Sequence, residues 1–181
     1  MVYIFLADGF EELEAIAPID MMRRAGLEAV TVGVGKDTVR SSHGIVMRTD
    51  ITDLQVKLDE NVQAVMLPGG MPGTRNLDAS PAVHRALDFC EENGLLIAAI
   101  CAAPSVLGKK GLLSGREATC FPGFEQFLTG ARLSEKYVVA DGNFITARGA
   151  GVAVEFGLKI VEKLCGEAKS AEIRAAIQCA N

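Results

Sequence analysis

Cys101 occupies the position in this chain where a side chain is best placed to do chemistry. It follows the apolar run Leu95–Ile100 and precedes the small-residue turn that opens Ala102–Leu107. The run predicts a buried parallel strand, and the residues after it predict the start of a helix. A thiol at such a junction faces the positive end of the helix dipole, which lowers its pKa. We therefore predict a reactive thiol of depressed pKa, with an inert core cysteine as the alternative.

Two glycines follow another predicted strand and could complete a site around this thiol. Gly69 and Gly70 come directly after Ala64–Leu67 and Pro68. Glycine lets the backbone approach a bound atom closely, so we expect Gly69 to contact substrate. The backbone amides of Gly70 and Ala102 are predicted to form an oxyanion hole beside the thiol. The alternative is an ordinary tight turn.

Three carboxylates lie in the first turns of a predicted helix over Glu11–Arg24. Acidic residues at a helix N-terminus complement its dipole, which is an ordinary role for at least two of Glu11, Glu12 and Glu14. One of them could instead point at the thiol. The spacing alone does not decide which.

The elements that must position these residues alternate between strands and helices. The predicted strands are Val2–Leu6, Ala29–Val34, Gly44–Met47, Ala64–Leu67 and Leu95–Ile100, followed by a hairpin of Tyr137–Ala140 and Phe144–Ala147. The predicted helices are Glu11–Arg24, one from Ser80 to Asn93, and Val152–Leu164. This alternation predicts an α/β fold, a doubly wound sandwich around a mostly parallel sheet. Ligands of such sheets bind at the carboxyl ends of the strands, where strand order reverses, so the loops above should converge there.

Composition excludes several classes of protein. The 181 residues fit a single domain, 1–181, with a net charge of −5 and no basic stripe. Nucleic acid and anionic membranes are therefore not expected as partners. No apolar run could span a bilayer, and Met1 leads into a strand without a signal-peptide pattern, so we expect a cytoplasmic protein. The five widely spaced cysteines indicate free thiols, and we expect no metal and no cofactor.

Five motifs occur in order along nearly the whole chain. They are Glu11–Glu14, Met22–Gly26, Leu67–Gly70, Ala98–Pro104 and Ala147–Gly151. Together they resemble the ThiJ/PfpI superfamily, and within it the subgroup of the parkinsonism-associated protein deglycase and its bacterial relatives. The resemblance implies a flavodoxin-like three-layer sandwich, usually assembled as a homodimer with the first helix in the interface.

The resemblance also implies roles for individual residues. Glu14 corresponds to a carboxylic acid that stays protonated and hydrogen-bonds to the Cys101 sulfur. Gly70 and Ala102 match the backbone donors of the pocket, and Arg148 matches an arginine beside it. These residues are the candidate catalytic and substrate-binding set of the chain.

The chain departs from the superfamily pattern at three positions. Protease-like members carry a histidine directly after the cysteine, where this chain has Ala102, and a second family histidine is replaced by Phe121. His43 stands in place of a family arginine that approaches the pocket, although a simple turn residue is the alternative. Because no general base for peptide hydrolysis is evident, a protease is disfavoured.

Two functions follow from these residues. In the first, the chain is a deglycase or glyoxalase-like enzyme. Its Cys101 thiolate attacks the aldehyde carbon of methylglyoxal or a glycated adduct, and Glu14 shuttles the proton. In the second, the chain is an oxidative-stress sensor or chaperone, regulated by oxidation of Cys101 to sulfinic acid. The missing histidine favours sensing, and the intact Glu14, Gly70 and Cys101 set favours catalysis.

The first helix also predicts self-association. Its apolar residues, among them Leu13, Ile16 and Ile19, cover more than one stripe, so one sheet face cannot bury them all. We expect a two-fold symmetric homodimer in which His43 or Arg24 reaches toward the neighbouring subunit's pocket.

Overall fold

A central sheet of seven strands organises the protein. The computed structural model describes residues 1–179. The strands of this part of the chain are β1 (Val2–Leu6), β2 (Ala29–Gly33), β3 (Thr38–Arg40), β4 (Val46–Arg48), β5 (Ile51–Thr52), β6 (Ala64–Leu67), β7 (Leu96–Ile100), β8 (Glu117–Ala118), β9 (Arg132–Leu133), β10 (Val138–Asp141) and β11 (Phe144–Ala147). The central sheet has the order β10-β11-β7-β6-β1-β2-β5, and two small two-stranded sheets, β3-β4 and β8-β9, lie outside it.

Helices connect these strands. They are α1 (Glu12–Arg24), α2 (Gly73–Asp78), α3 (Pro81–Glu92), α4 (Pro104–Lys109), α5 (Ala153–Cys165) and α6 (Glu167–Ala176), with 3-10 turns at Asp53–Gln55, Glu125–Phe127 and Ala150–Val152. The side chain of Ser80 accepts a hydrogen bond from the Val83 N–H at the start of α3, as its position before Pro81 predicts. The predicted start of α3 is therefore confirmed.

The sheet is parallel except at one edge. Strands β1, β2, β5, β6, β7 and β11 pair in parallel, whereas β10 pairs with β11 in the antiparallel sense as a hairpin. The chain builds outward from β1 through β2 to β5, then returns to the other side of β1 with β6 and β7. Strand order thus reverses between β1 and β6. The predicted doubly wound, flavodoxin-like α/β class is confirmed.

Both faces of the sheet are covered by helices. Alternate residues of β1 point to opposite sides: Val2, Ile4 and Leu6 pack with residues of α1, α5 and α6, whereas Tyr3 and Phe5 pack with residues of α3 and α4. All five are buried. Burial on both sides explains why the strand sequences are continuously apolar instead of alternating.

Several predicted elements were wrong in detail. The strand expected over Gly44–Met47 is Val46–Arg48, and it pairs with β3 outside the central sheet. The helix expected to open at Ala102 begins only at Pro104, and two helices, α2 and α6, were not predicted. No helix among residues 1–179 is long and apolar enough to cross a membrane.

Candidate active site

Four loops meet at the carboxyl ends of the strands, beside the reversal of strand order. Glu14 follows β1, Gly69 and Gly70 follow β6, Cys101 follows β7 and Arg148 follows β11. Gly69 lies between the acid and the thiol: a Cβ atom built on it would be 2.6 Å from Glu14 Oε2 and 2.7 Å from Cys101 Cβ. The convergence expected for a doubly wound sheet is therefore present.

Cys101 is held in an unusual backbone conformation. Its φ is 64°, in the left-handed region that residues other than glycine seldom adopt. Its N–H donates to Ala147 O at 2.8 Å, and its carbonyl accepts from Phe121 N–H at 2.8 Å. Strained conformations persist only where the surroundings hold them, and they cluster at functional sites. The amino-acid sequence carried no sign of this conformation, because cysteine has no preference for it.

The three N-terminal carboxylates of α1 have separate roles. The side chain of Glu11 caps the helix, with Oε2 accepting from Glu14 N–H at 2.8 Å. Glu12 pairs with His43, Oε1 to Nδ1 at 3.0 Å. Glu14 is 1% exposed and accepts a hydrogen bond from Gly69 N–H on Oε2 at 2.9 Å. Glu14 is thus the carboxylate that turns inward toward the thiol.

Burial strongly changes the acidity of Glu14. Its pKa is raised from 4.5 to about 7, mainly by desolvation and to a smaller extent by the charge of Glu11. Hydrogen bonds from Cys101 and from the backbone N–H groups of Gly69 and Ala150 act in the opposite direction. Near neutral pH this carboxyl is therefore able both to hold and to release a proton.

The thiol of Cys101 does not have the depressed pKa that its place in the sequence predicted. Its pKa is raised to about 12, first by burial and then by the charge and hydrogen bonding of Glu14, while the backbone N–H groups of Ala102 and Gly70 act in the opposite direction. The dipole argument failed because α4 has only six residues and begins three positions after the cysteine. Because the charge of Glu14 is one of these causes, a thiolate forms only as that carboxylate takes up the thiol proton.

Cys101 nevertheless differs from the other thiols in its surroundings. Cys90 and Cys120 are buried in the core, with their pKa values raised to about 12 and about 11 by desolvation. Cys165 is exposed and Cys179 is half-buried. Of the cysteines whose pKa is shifted, only Cys101 has backbone N–H groups directed at its sulfur.

Arg148 and His43 lie outside the contacts of the thiol. The guanidinium of Arg148 reaches Glu135 Oε2 at 3.4 Å and lies 5.6 Å from the centre of the Tyr137 ring. His43 is 72% exposed, and its ring contacts Glu12 and Ser42. The structure therefore brings together Glu14, the glycines, the thiol and Ala102, and leaves Arg148 and His43 at the periphery.

A cavity of about 570 Å³ opens beside the loop after β11, which contains Ala150, a backbone hydrogen-bond partner of Glu14. Its lining residues are Phe121, Pro122, Tyr137, Arg148, Gly149, Ala150, Gly151 and Val152. Phe121, which takes the place of a family histidine, is 47% exposed there. The wall offers aromatic surface and one arginine, which suits a small carbonyl compound with an apolar or anionic end.

One group of side chains has the donor types of a metal site. Oxygen or nitrogen atoms of Glu11, Glu12 and His43 lie within 4.8 Å of one another. Their positions are already explained by the helix cap and the Glu12–His43 pair. We therefore assign no metal role to them.

Comparison with known proteins agrees with this geometry. The model of the DJ-1/PfpI family matches residues 1–163. The chain belongs to the DJ-1/PfpI family. This membership confirms the resemblance drawn from the five sequence motifs.

Relatives within the DJ-1/PfpI family match over most of their length. Protein dj-1beta of Drosophila melanogaster is 41% identical over 173 residues, 94% of this chain and 92% of the relative. The glutathione-independent glyoxalase DJR-1.2 of Caenorhabditis elegans is 34% identical over 162 residues, 88% of this chain and 86% of the relative. An oxidised structure of Toxoplasma gondii DJ-1 superposes with a TM-score of 0.94 at 34% identity, over 99% of this chain and 98% of that one.

Proposed function

We propose that the protein is a cysteine-dependent glyoxalase or deglycase that acts on methylglyoxal or on glycated thiols and amines. The observation that carries this proposal is the buried carboxyl of Glu14 against the Cys101 thiol, with the Gly70 and Ala102 amides directed at the sulfur. Such a set supplies a nucleophile, a proton carrier and an oxyanion hole. The relative named a glyoxalase supports the same chemistry.

The proposed reaction needs no external oxidant. The Glu14 carboxylate takes the proton of the Cys101 thiol while the sulfur bonds to the aldehyde carbon of methylglyoxal, and the two backbone amides stabilise the oxyanion that forms. Glu14 protonates this oxygen and then helps to move the C–H proton to the neighbouring ketone carbon through an enediol. The resulting thioester is hydrolysed by water, which restores the thiol and releases a 2-hydroxycarboxylate. One carbon is oxidised and its neighbour is reduced.

Replacing Glu14 by glutamine tests the proton carrier. The amide keeps an acceptor for Gly69 N–H but cannot carry a proton, so we expect Glu14→Gln to lower kcat/KM for methylglyoxal by about 100-fold. In the wild-type protein kcat/KM should rise with pH through about 7, the pKa of Glu14. That inflection should be absent from the variant. Unchanged activity and an unchanged pH profile would reduce Glu14 to a structural role.

The stability of the same variant gives a second readout. Because folding raises the pKa of Glu14 from 4.5 to about 7, the folded state favours the protonated carboxyl. The wild-type protein therefore loses up to about 3 kcal/mol of unfolding free energy, relative to Glu14→Gln, as pH rises from 4.5 through about 7. Urea unfolding of both proteins at pH 5 and at pH 8 captures most of this difference, about 2.5 kcal/mol, because pH 5 lies just above the pKa of the unfolded state and pH 8 lies above that of the folded state.

A redox sensor is the second candidate function. Below about pH 7 the protonated Glu14 could donate a hydrogen bond to an oxidised Cys101 sulfur, which favours arrest at the sulfinic acid. The oxidised Toxoplasma gondii relative supports this candidate. Mass spectrometry after peroxide treatment, together with methylglyoxal turnover, separates the two: a sensor oxidises selectively at Cys101 and shows negligible turnover.

We also propose a homodimer through α1. A groove of about 690 Å³ runs along this helix, and exposed apolar side chains gather at it and on the adjoining hairpin: Leu13, Ile16, Ile45 and Val46. These side chains are 44–58% exposed in the single chain. A contiguous apolar surface on two elements is the pattern of an isologous interface, and a second copy covers it with the same residues.

A lysine in this groove should separate the subunits. Ile16→Lys places a charge on the apolar surface, so we expect a shift from dimer to the 19.2 kDa monomer at micromolar concentration in sedimentation equilibrium. Leu54→Lys is the matched control, because Leu54 is 92% exposed and does not line the groove. A dimer that survives Ile16→Lys, or a monomeric wild-type protein, contradicts the proposal.

A further inference from the structure

A further cavity lies against the two helices that follow the segments carrying the amide donors. It measures about 290 Å³ and is bounded by α2, α4 and the loop that contains Glu125–Phe127. Its lining shares no residue with the cavity of Phe121 and Arg148. Both bounding helices follow the candidate active site directly, because α2 comes three residues after Gly70 and α4 two residues after Ala102.

Thr74 lines this cavity with an unsatisfied hydroxyl. The residue is 4% exposed, and its Oγ1 has no hydrogen-bond partner. Among residues 1–179 only one other buried side-chain atom, Glu91 Oε2, is in this state. Leaving a buried hydroxyl unpaired costs about 1–3 kcal/mol. This oxygen has almost no accessible surface, so a ligand with a polar group in the cavity would supply the missing partner once the Thr74 side chain turns toward it.

The charged residues of the lining favour a monoanion. Lys109 pairs with Asp78, Nζ to Oδ2 at 2.6 Å, so these two charges offset each other. Arg75 is exposed, and none of the ion pairs within the described residues involves its guanidinium. The guanidinium of Arg75 is thus the unbalanced positive charge of the lining, and its N–H groups can donate two parallel hydrogen bonds to a carboxylate.

The remaining lining residues define the rest of the ligand. Phe124 and Phe127 present tilted rings whose centroids are 6.1 Å apart, and Met71 is 38% exposed beside them. Ser105 donates its hydroxyl proton to Ala102 O at 2.6 Å, which leaves the lone pairs of Oγ as acceptors. The cavity therefore offers an apolar wall and a hydroxyl acceptor next to the cationic end.

We propose that this cavity binds a small 2-hydroxycarboxylate, with the carboxylate at Arg75 and Thr74 Oγ1 and its apolar end against the two phenylalanine rings. Binding at this cavity does not depend on the proposed function. The product of the proposed reaction is also a 2-hydroxycarboxylate, and this further reading does rest on the proposed function. If both hold, the cavity is a site that senses the product of the enzyme.

Mandelate is a suitable probe, because it joins a hydroxyl and a carboxylate to an aromatic ring. Titrated into the wild-type protein, it should give saturable amide shifts in two-dimensional NMR at Thr74, Arg75 and Gln126. We expect Arg75→Gln to weaken this affinity about tenfold, the loss of one charge-assisted contact. Arg85→Gln is the matched control, since Arg85 is exposed on α3 and does not line the cavity. The neutral mandelamide should bind about as weakly to wild type as mandelate does to Arg75→Gln.

Thr74→Val tests the hydroxyl at constant volume. Removing an unpaired buried hydroxyl should leave the melting temperature unchanged or higher, while mandelate affinity falls several-fold. The proposal is overturned if mandelate gives no saturable shifts or if Arg75→Gln binds it like wild type. It is also overturned if alkylation of Cys101 abolishes binding, because mandelate would then occupy the candidate active site. None of these outcomes requires aldehyde turnover, so a failure of the proposed enzyme activity is detected separately.

Discussion

Replacing Cys101 by serine should reduce turnover of methylglyoxal by about 1,000-fold or more, to the background of the assay. Serine keeps the size of the side chain, but its hydroxyl ionises far less readily than a thiol and is a weaker nucleophile at neutral pH. The backbone conformation at φ 64° is set by the Ala147 and Phe121 hydrogen bonds, which the substitution does not touch. The fold should therefore be retained while the reaction is lost.

Cys165→Ser is the matched control for this experiment. Cys165 is exposed at the end of α5, away from the converging loops, so its replacement should leave turnover and melting temperature at wild-type values. Initial rates of methylglyoxal loss for the three proteins at equal concentration give the comparison. Substantial turnover by Cys101→Ser would mean that another residue performs the chemistry.

Gly70→Ala should both destabilise the protein and remove activity. Gly70 has φ +90°, and a Cβ atom there would lie 2.4 Å from Glu11 N and 2.5 Å from Gly9 O. Both are backbone atoms and cannot rotate away, so the loop after β6 must move. We expect the free energy of unfolding to fall by about 3 kcal/mol, from the left-handed conformation and the overlap together. The displaced amide would no longer point at the sulfur, so turnover should be lost in the fraction that remains folded.

Gly111→Ala separates the two causes. Gly111 also has a positive φ, +80°, but a Cβ there meets nothing within 4 Å. Its replacement should therefore cost only the conformational part, about 1 kcal/mol, with activity unchanged. Urea unfolding of the two variants and the wild-type protein measures both values. Equal losses for Gly70→Ala and Gly111→Ala would show that the close approach to Glu11 does not matter.

The candidate site could be located in the sequence because each of its parts follows a recognisable strand. The apolar runs before Gly69 and before Cys101 predict buried parallel strands, and such strands end at one edge of a sheet. The five motifs then identified the family. The C-terminal hairpin was also readable, because Asp141 and Gly142 separate its two apolar runs. The turn itself lies one residue later than expected, since Asp141 ends β10 and pairs with Phe144.

Other elements could not be read because their sequences carry weak periodicity. Helix α2 is only six residues long and includes a glycine and a threonine, so its sequence has no apolar stripe that would predict a helix. Helix α6 has buried residues only at Ser170 and Ile173, too few for a clear face. Of the β3–β4 hairpin only the second strand was predicted, with shifted bounds, because both strands are three residues long and largely exposed.

The sequence by itself determined the α/β class, the family and the positions of the thiol and the two glycines, because these depend on patterns within short segments. The spacing of the residues left open which carboxylate faces Cys101, and only the family resemblance implied Glu14 before the tertiary structure placed it there. The tertiary structure reversed the expected direction of the thiol pKa. It also revealed the unpaired Thr74 hydroxyl. The physical reason is that acidity and hydrogen-bond satisfaction depend on desolvation and on groups brought together from distant parts of the chain.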